Sequence, residues 1–77
     1  MKIEGDTLYI DEEITDERVD EFIASISQED IKSVEVNCNN LGASIIQVLL
    51  IKKRDKDIVI KDPILNKIFE NISYKRV

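Results

Sequence analysis

Histidine is absent from this chain of 77 residues, cysteine and proline occur once each, and glycine occurs twice. Without histidine, the common zinc ligand sets and imidazole acid–base chemistry are excluded. The single cysteine, Cys38, allows neither an internal disulfide nor a multi-cysteine metal site. With no imidazole to activate it, Cys38 reads as a small buried hydrophobe at a strand end and not as a nucleophile. Two glycines cannot build a phosphate-cradling loop, so the sequence shows no nucleotide cradle and no cofactor is expected. Long apolar runs are missing too. The longest, Ile45 to Ile51, spans seven residues and contains Gln47, whereas a membrane helix needs about 20. The first ten residues hold one lysine and no apolar stretch of signal-peptide length. These absences lead to the expectation of a cytoplasmic protein with no membrane insertion and no metal.

Positive charge is in the minority: 11 Lys and Arg stand against 16 Asp and Glu, a net charge of −5. That balance argues against a nucleic-acid or anionic-membrane binder, because phosphates are met by clustered lysine and arginine. Apolar residues at 43% and charged residues at 35% fit a globular chain. At this length it is one domain, 1–77, with a limited core. Oligomerisation or a partner surface is a reasonable expectation for so small a fold.

The pattern alternates strands and helices. Lys2-Ile3-Glu4 and Thr7-Leu8-Tyr9-Ile10 flank Gly5-Asp6, which predicts a tight hairpin. Asp11-Glu12-Glu13 is a solvated acidic loop. Thr15 is a candidate helix cap, with Asp16 and Glu17 in the first turn where the dipole favours carboxylates. Ile14 and Val19 have the spacing of a hydrophobic staple. Val19, Phe22, Ile23 and Ile26 form one helical stripe, and that helix should run to about Ser27. Lys32 to Cys38 alternates, with Val34, Val36 and Cys38 on one face and Ser33, Glu35 and Asn37 on the other. After the break Asn39-Asn40-Leu41-Gly42, a helix is expected from Ala43 to about Arg54. Its residues Ile45, Ile46, Val48, Leu49, Leu50 and Ile51 are apolar nearly all round, so it is either buried on most sides or presents a face to a partner. Ile58-Val59-Ile60 fits an inner strand of a parallel or mixed sheet. Asp62-Pro63 announces a third helix, with Asp capping and Pro at the first helical position. Ile64, Leu65, Ile68, Phe69 and Ile72 make its apolar face, and Tyr74 to Val77 follow as a short basic tail. The order β-β-α-β-α-β-α predicts an α/β fold, a small mixed sheet of about four strands with three helices mainly on one face. The other face, carrying Glu35 and Asn37, meets water.

Chemistry-bearing clusters are sparse. The carboxylate pairs at Asp11-Glu12-Glu13 and Asp16-Glu17 read as solvated charge and dipole complement, with a weak divalent-cation site as the remote alternative. Lys52-Lys53-Arg54 and Lys75-Arg76 read as solubilising charge that could also meet an acidic partner. The most informative place is the junction from Asn37 to Ser44, where a strand ends and a very apolar helix begins. Ligands of open α/β sheets favour this carboxyl end of the strands. Ser44, in the first turn of that helix, either serves helix initiation or accepts a phosphate.

Taken along the whole chain, the pattern resembles the STAS family, the small domain of anti-sigma-factor antagonists. The resemblance rests on Lys2-Ile3-Glu4-Gly5-Asp6-Thr7-Leu8, the Ile14-Thr15 helix entry and the strand Ser33-Val34-Glu35-Val36-Asn37-Cys38 feeding a loop and apolar helix. The end, Ile58-Val59-Ile60-Lys61-Asp62-Pro63-Ile64-Leu65 with Ile68-Phe69, is similar to the family's last strand and helix. The family usually carries Asp-Ser-Ser/Thr-Gly-Leu at the start of its second helix, where a partner kinase phosphorylates a Ser or Thr. Here the stretch reads Gly42-Ala43-Ser44-Ile45-Ile46. Ser44 falls on the second Ser/Thr position, while Gly42, Ala43 and Ile45 stand where the family has the acidic residue, the first Ser and the glycine.

The resemblance implies a non-enzymatic protein-interaction module. Its expected partner surface is Asn39, Asn40, Leu41, Gly42, Ala43, Ser44 and Gln47, with Ser44 as the phosphoacceptor. It implies a protein partner, either a kinase-like anti-sigma factor or a subunit of a lipid-trafficking ATP-binding-cassette transporter. The competing expectation is a structural accessory subunit, such as a homodimer held by the apolar second helix, with no switch.

Overall fold

In the computed structural model, which describes Met1 to Lys75 and only the backbone from residue 72 onward, the chain opens with a hairpin. Strands β1 (Lys2–Glu4) and β2 (Thr7–Ile10) pair antiparallel, Glu4 against Thr7. The loop between them is Gly5-Asp6. Gly5 has φ of 60° and no non-glycine residue among those described has a positive φ, the pattern of a type II′ turn, which matches the natural strand twist.

The chain then crosses over twice. A 3₁₀ turn, Asp16–Arg18, leads into α1 (Val19–Ile26), and β3 (Ser33–Val36) joins β2 in parallel. Helix α2 (Ala43–Lys52) leads to β4 (Asp57–Ile60), parallel to β3, and α3 (Pro63–Lys75) closes the order. The four-stranded sheet runs β1-β2-β3-β4. Strand periodicity puts Leu8, Ile10, Val34, Val36 and Ile60 on one face, where all are buried beneath the helices. Phe22 and Ile26 of α1, Ile45 and Leu49 of α2, and Leu65 and Phe69 of α3 complete that core, which holds no polar residue among those described. The opposite face carries the cross-strand rows Lys2–Tyr9–Glu35–Val59 and Glu4–Thr7–Ser33–Asp57. The fold is therefore the mixed α/β architecture expected, with one covered and one open sheet face.

Several local expectations change. Thr15 makes no side-chain cap; its carbonyl instead accepts the Arg18 N–H at 3.0 Å to close the 3₁₀ turn. Helix α2 stops at Lys52, whose carbonyl accepts the N–H groups of both Asp55 and Lys56 at 3.0 Å. Strand β4 is an edge strand, not an inner one, and Val59 on the open face is 48% exposed. Ile60 packs inward while Val59 meets solvent, so the unbroken apolar run does not reflect burial on both faces. Helix α3 continues to Lys75, past the point where a tail was expected. The side chain of Ile72 and the Lys75-Arg76 cluster lie outside the described residues.

Helix α2 owes its all-round apolarity to position. It is the middle helix, in contact with α1 on one side and α3 on the other. Ile45 and Leu49 are fully buried, while Ile46, Val48 and Leu50 pack partly against the same core. Its exposed strip is Ala43, Gln47 and Ile51.

Candidate functional site

Strands β2, β3 and β4 point the same way, so their carboxyl ends gather the segments that follow them. After β2 come Asp11 to Asp16, after β3 Asn37 to Gly42, and after β4 Lys61 and Asp62. The Asn37 side-chain amide donates to Asp11 Oδ1 at 2.7 Å and to Glu35 Oε2 at 3.4 Å. Lys61 Nζ lies 3.6 Å from Glu35 Oε1. One turn further on, Asn40 Nδ2 donates to Glu13 Oε2 at 3.0 Å. The Gly42 N–H donates to the Ile14 carbonyl at 2.9 Å, which sews the loop to the segment after β2.

The start of α2 is built from two distant pieces of chain. A helix leaves its first N–H groups without intrahelical acceptors. The residue preceding α2 is Gly42, which has no side chain to offer. Asp16 supplies the acceptor, with Oδ1 taking the Ser44 N–H at 3.0 Å. The approach is close enough that a Cβ on Gly42 would overlap the Asp16 carboxylate, so glycine is required here for space and not for its φ of −62°. Sequence reasoning assigned Asp16 to its own helix and missed this role. The available signal was a helix beginning Gly-Ala-Ser with no capping side chain of its own in front.

The expected surface residues separate into two groups. Asn39, Asn40, Ala43 and Gln47 are exposed, Gly42 and Ser44 are half-buried, and Leu41 is buried in the core as an anchor for the loop. Cys38 is also buried, with Sγ 3.3 Å from the Asn40 carbonyl. Burial pushes its thiol pKa up, and the carboxylates of Glu13 and Asp62 act in the same direction. That is the environment of an inert thiol. No group of three or more carboxylate, thiol or imidazole side chains among the described residues is arranged to hold a metal ion. Among those residues, no helix is long and apolar enough to cross a membrane.

At the opposite end of the strands lies an open cavity of about 300 Å³ lined by Lys32, Lys53, Arg54, Asp55, Lys56 and Asp57. Two of its cations are engaged. Lys56 Nζ donates to the carbonyls of Gln28 and Ile31, and Lys53 Nζ sits 5.5 Å from the centre of the Phe69 ring. These contacts tie the α1–β3 connection to the end of α2 and give α3 a cation–π contact.

Comparison of the chain with family models, with curated proteins and with solved structures returns no match.

Proposed function

We propose that this chain is a non-enzymatic, STAS-like interaction module that binds a protein partner through Asn39–Ser44 and the Gln47 strip of α2. The observation that carries the reading is the construction of that surface. Exposed Asn39, Asn40, Ala43 and Gln47 sit over the buried anchors Leu41 and Ile45, and the loop is tied down by Asn40–Glu13, Gly42–Ile14 and Ser44–Asp16. A surface already ordered loses little conformational entropy on docking. Its side-chain amides donate and accept hydrogen bonds. The carboxylates around it, Asp11, Glu13 and Asp62, orient a basic partner and speed its approach. Because the apolar side of α2 is spent within the fold, the contact is more polar than the sequence suggests.

The resemblance points to a kinase-like anti-sigma factor as the partner, in the cytoplasm, and to Ser44 as the phosphoacceptor. A phosphate adds about −1.5 to −2 charges. At Ser44 it would arrive beside the Asp16 carboxylate that holds α2, so modification would disturb the cap as well as the charge of the docking face.

The test is capture of partners from native cells with the full chain, followed by binding measurements on the protein recovered. Gln47→Arg and Asn40→Arg should each abolish capture, while Lys2→Glu on the distant β1 should not. Ser44→Asp should weaken binding at least about tenfold and Ser44→Ala should leave it unchanged. A partner that tolerates both arginine variants would overturn the surface. Equal affinity of the two Ser44 variants would remove the switch.

A further inference from the structure

Strand β4 is bonded to β3 on one side and forms the edge of the sheet on the other. The Asp57 N–H donates to the Lys32 carbonyl at 3.1 Å and the Lys61 N–H to the Val36 carbonyl at 2.9 Å. Backbone direction alternates along a strand, so Asp57, Val59 and Lys61 turn their polar groups toward β3, while Ile58 and Ile60 turn theirs outward. Among the described residues, none hydrogen-bonds those outward groups. Such an edge is a template for another strand. The β1 edge is guarded by its brevity and by exposed Lys2 and Glu4. The β4 edge has neither proline nor bulge inside its β-branched run, and its charges lie only at the ends.

We propose that β4 pairs antiparallel with β4 of a second copy of this chain, about a two-fold axis at Val59. This register places Val59 against Val59 of the second copy, Ile58 against its Ile60, and Asp57 against its Lys61. Residues 57 to 61 read Asp-Ile-Val-Ile-Lys, so the segment is complementary to itself in both charge and apolarity when reversed. Backbone parity is satisfied at this axis and rules out any axis falling between residues, which would set an outward-facing residue against an inward-facing one. Val59, committed to β3, occupies a non-hydrogen-bonded position at the centre, and the flanking Ile58–Ile60 pairs exchange hydrogen bonds on both sides. The Asp57–Lys61 pairs also fall at non-hydrogen-bonded positions, where facing side chains are closest. Lys61 already neighbours Glu35 on the open face, so it would lie between two carboxylates. Moving the axis to Ile58 or Ile60 would set Asp57 or Lys61 against Val59 and lose that match. The interface uses none of the residues of the proposed docking loop, so either reading survives failure of the other.

Sedimentation equilibrium of the full chain tests the pairing, with thermal melts showing that each variant is folded. The wild type should form a dimer at concentrations on the order of 100 μM, the range in which weak association is read. Asp57→Lys and Lys61→Asp each set like charges face to face and should raise the dissociation constant at least about tenfold. The double charge swap should restore the wild-type constant within about threefold. Gln47→Arg should leave the dimer intact. A monomeric wild type, a dimer indifferent to both single reversals, a double swap as weak as the singles, or a dimer lost with Gln47→Arg would each overturn the proposal.

Discussion

Helix α3 carries its own stopper in Asp62, whose Oδ2 accepts the Leu65 N–H at 2.9 Å. Helix α2 starts behind a bare Gly42 and takes its acceptor from Asp16, 28 residues before the Ser44 whose N–H it receives. The two starts satisfy the same unpaired donors by different routes. At α3 the solution is local: a capping Asp followed by Pro63, whose missing N–H costs nothing at the first helical position. At α2 the solution is tertiary, so the helix start, the 3₁₀ turn and the docking loop are held by one carboxylate. A local cap secures one helix, whereas a borrowed cap couples two crossovers.

The sharpest way to break this contrast is Gly42→Ala. The added methyl would overlap the Asp16 carboxylate and crowd the Asp16 backbone nitrogen. The loss of the cap and the displacement of the turn together should cost about 2 kcal/mol in urea unfolding. Next come Asp16→Ala and Asp62→Ala, each expected to cost about 1 kcal/mol as a lost cap. They should differ in where amide exchange accelerates. Asp62→Ala should loosen the first turn of α3 alone, while Asp16→Ala should loosen both the first turn of α2 and the loop before it. Gly42 has φ of −62° and ψ of 153°, extended values open to other residues. Even so, Gly42→Ser in the Asp16→Ala background should recover little of the loss, because removing the carboxylate leaves the new Cβ 2.9 Å from the backbone nitrogen of residue 16; full recovery would show that only the carboxylate excludes a side chain at position 42. The smallest effect concerns the thiol at the same junction. Its pKa is raised by burial in the folded state, so its contribution is full below the ordinary thiol pKa and is lost as pH rises through the folded value. Unfolding midpoints between neutral and alkaline pH should fall slightly more for the wild type than for Cys38→Ala.

The same contrast explains what could be read along the chain. The hairpin, the alternation of β3 and the Asp62-Pro63 start of α3 depend on residues close in sequence and lie where their patterns place them, while the α1 stripe holds at Phe22 and Ile26 but leaves Ile23 40% exposed. The docking loop was legible as a position, because a strand ends at Val36 and a helix begins at Ala43. Its attachments were not. Nothing near Asn40 names Glu13, and nothing near Ser44 names Asp16, since both bonds appear only once the parallel strands are side by side. Likewise, the apolar run of β4 suggested an inner strand because hydropathy does not say which strand comes last in a sheet. The all-apolar α2 left two readings open, and its middle place among the helices accounts for most of that character.

Because the stopper of α2 belongs to the first crossover, neither half of the chain contains everything it needs. A fragment beginning after Asp30 would have β3, α2 and β4 but neither the Asp16 carboxylate nor the Ile14 carbonyl that receives Gly42. A fragment ending there would leave Phe22 and Ile26 without α2 to cover them. The molecule should accordingly melt as an indivisible unit, with no stable half-folded species on the way.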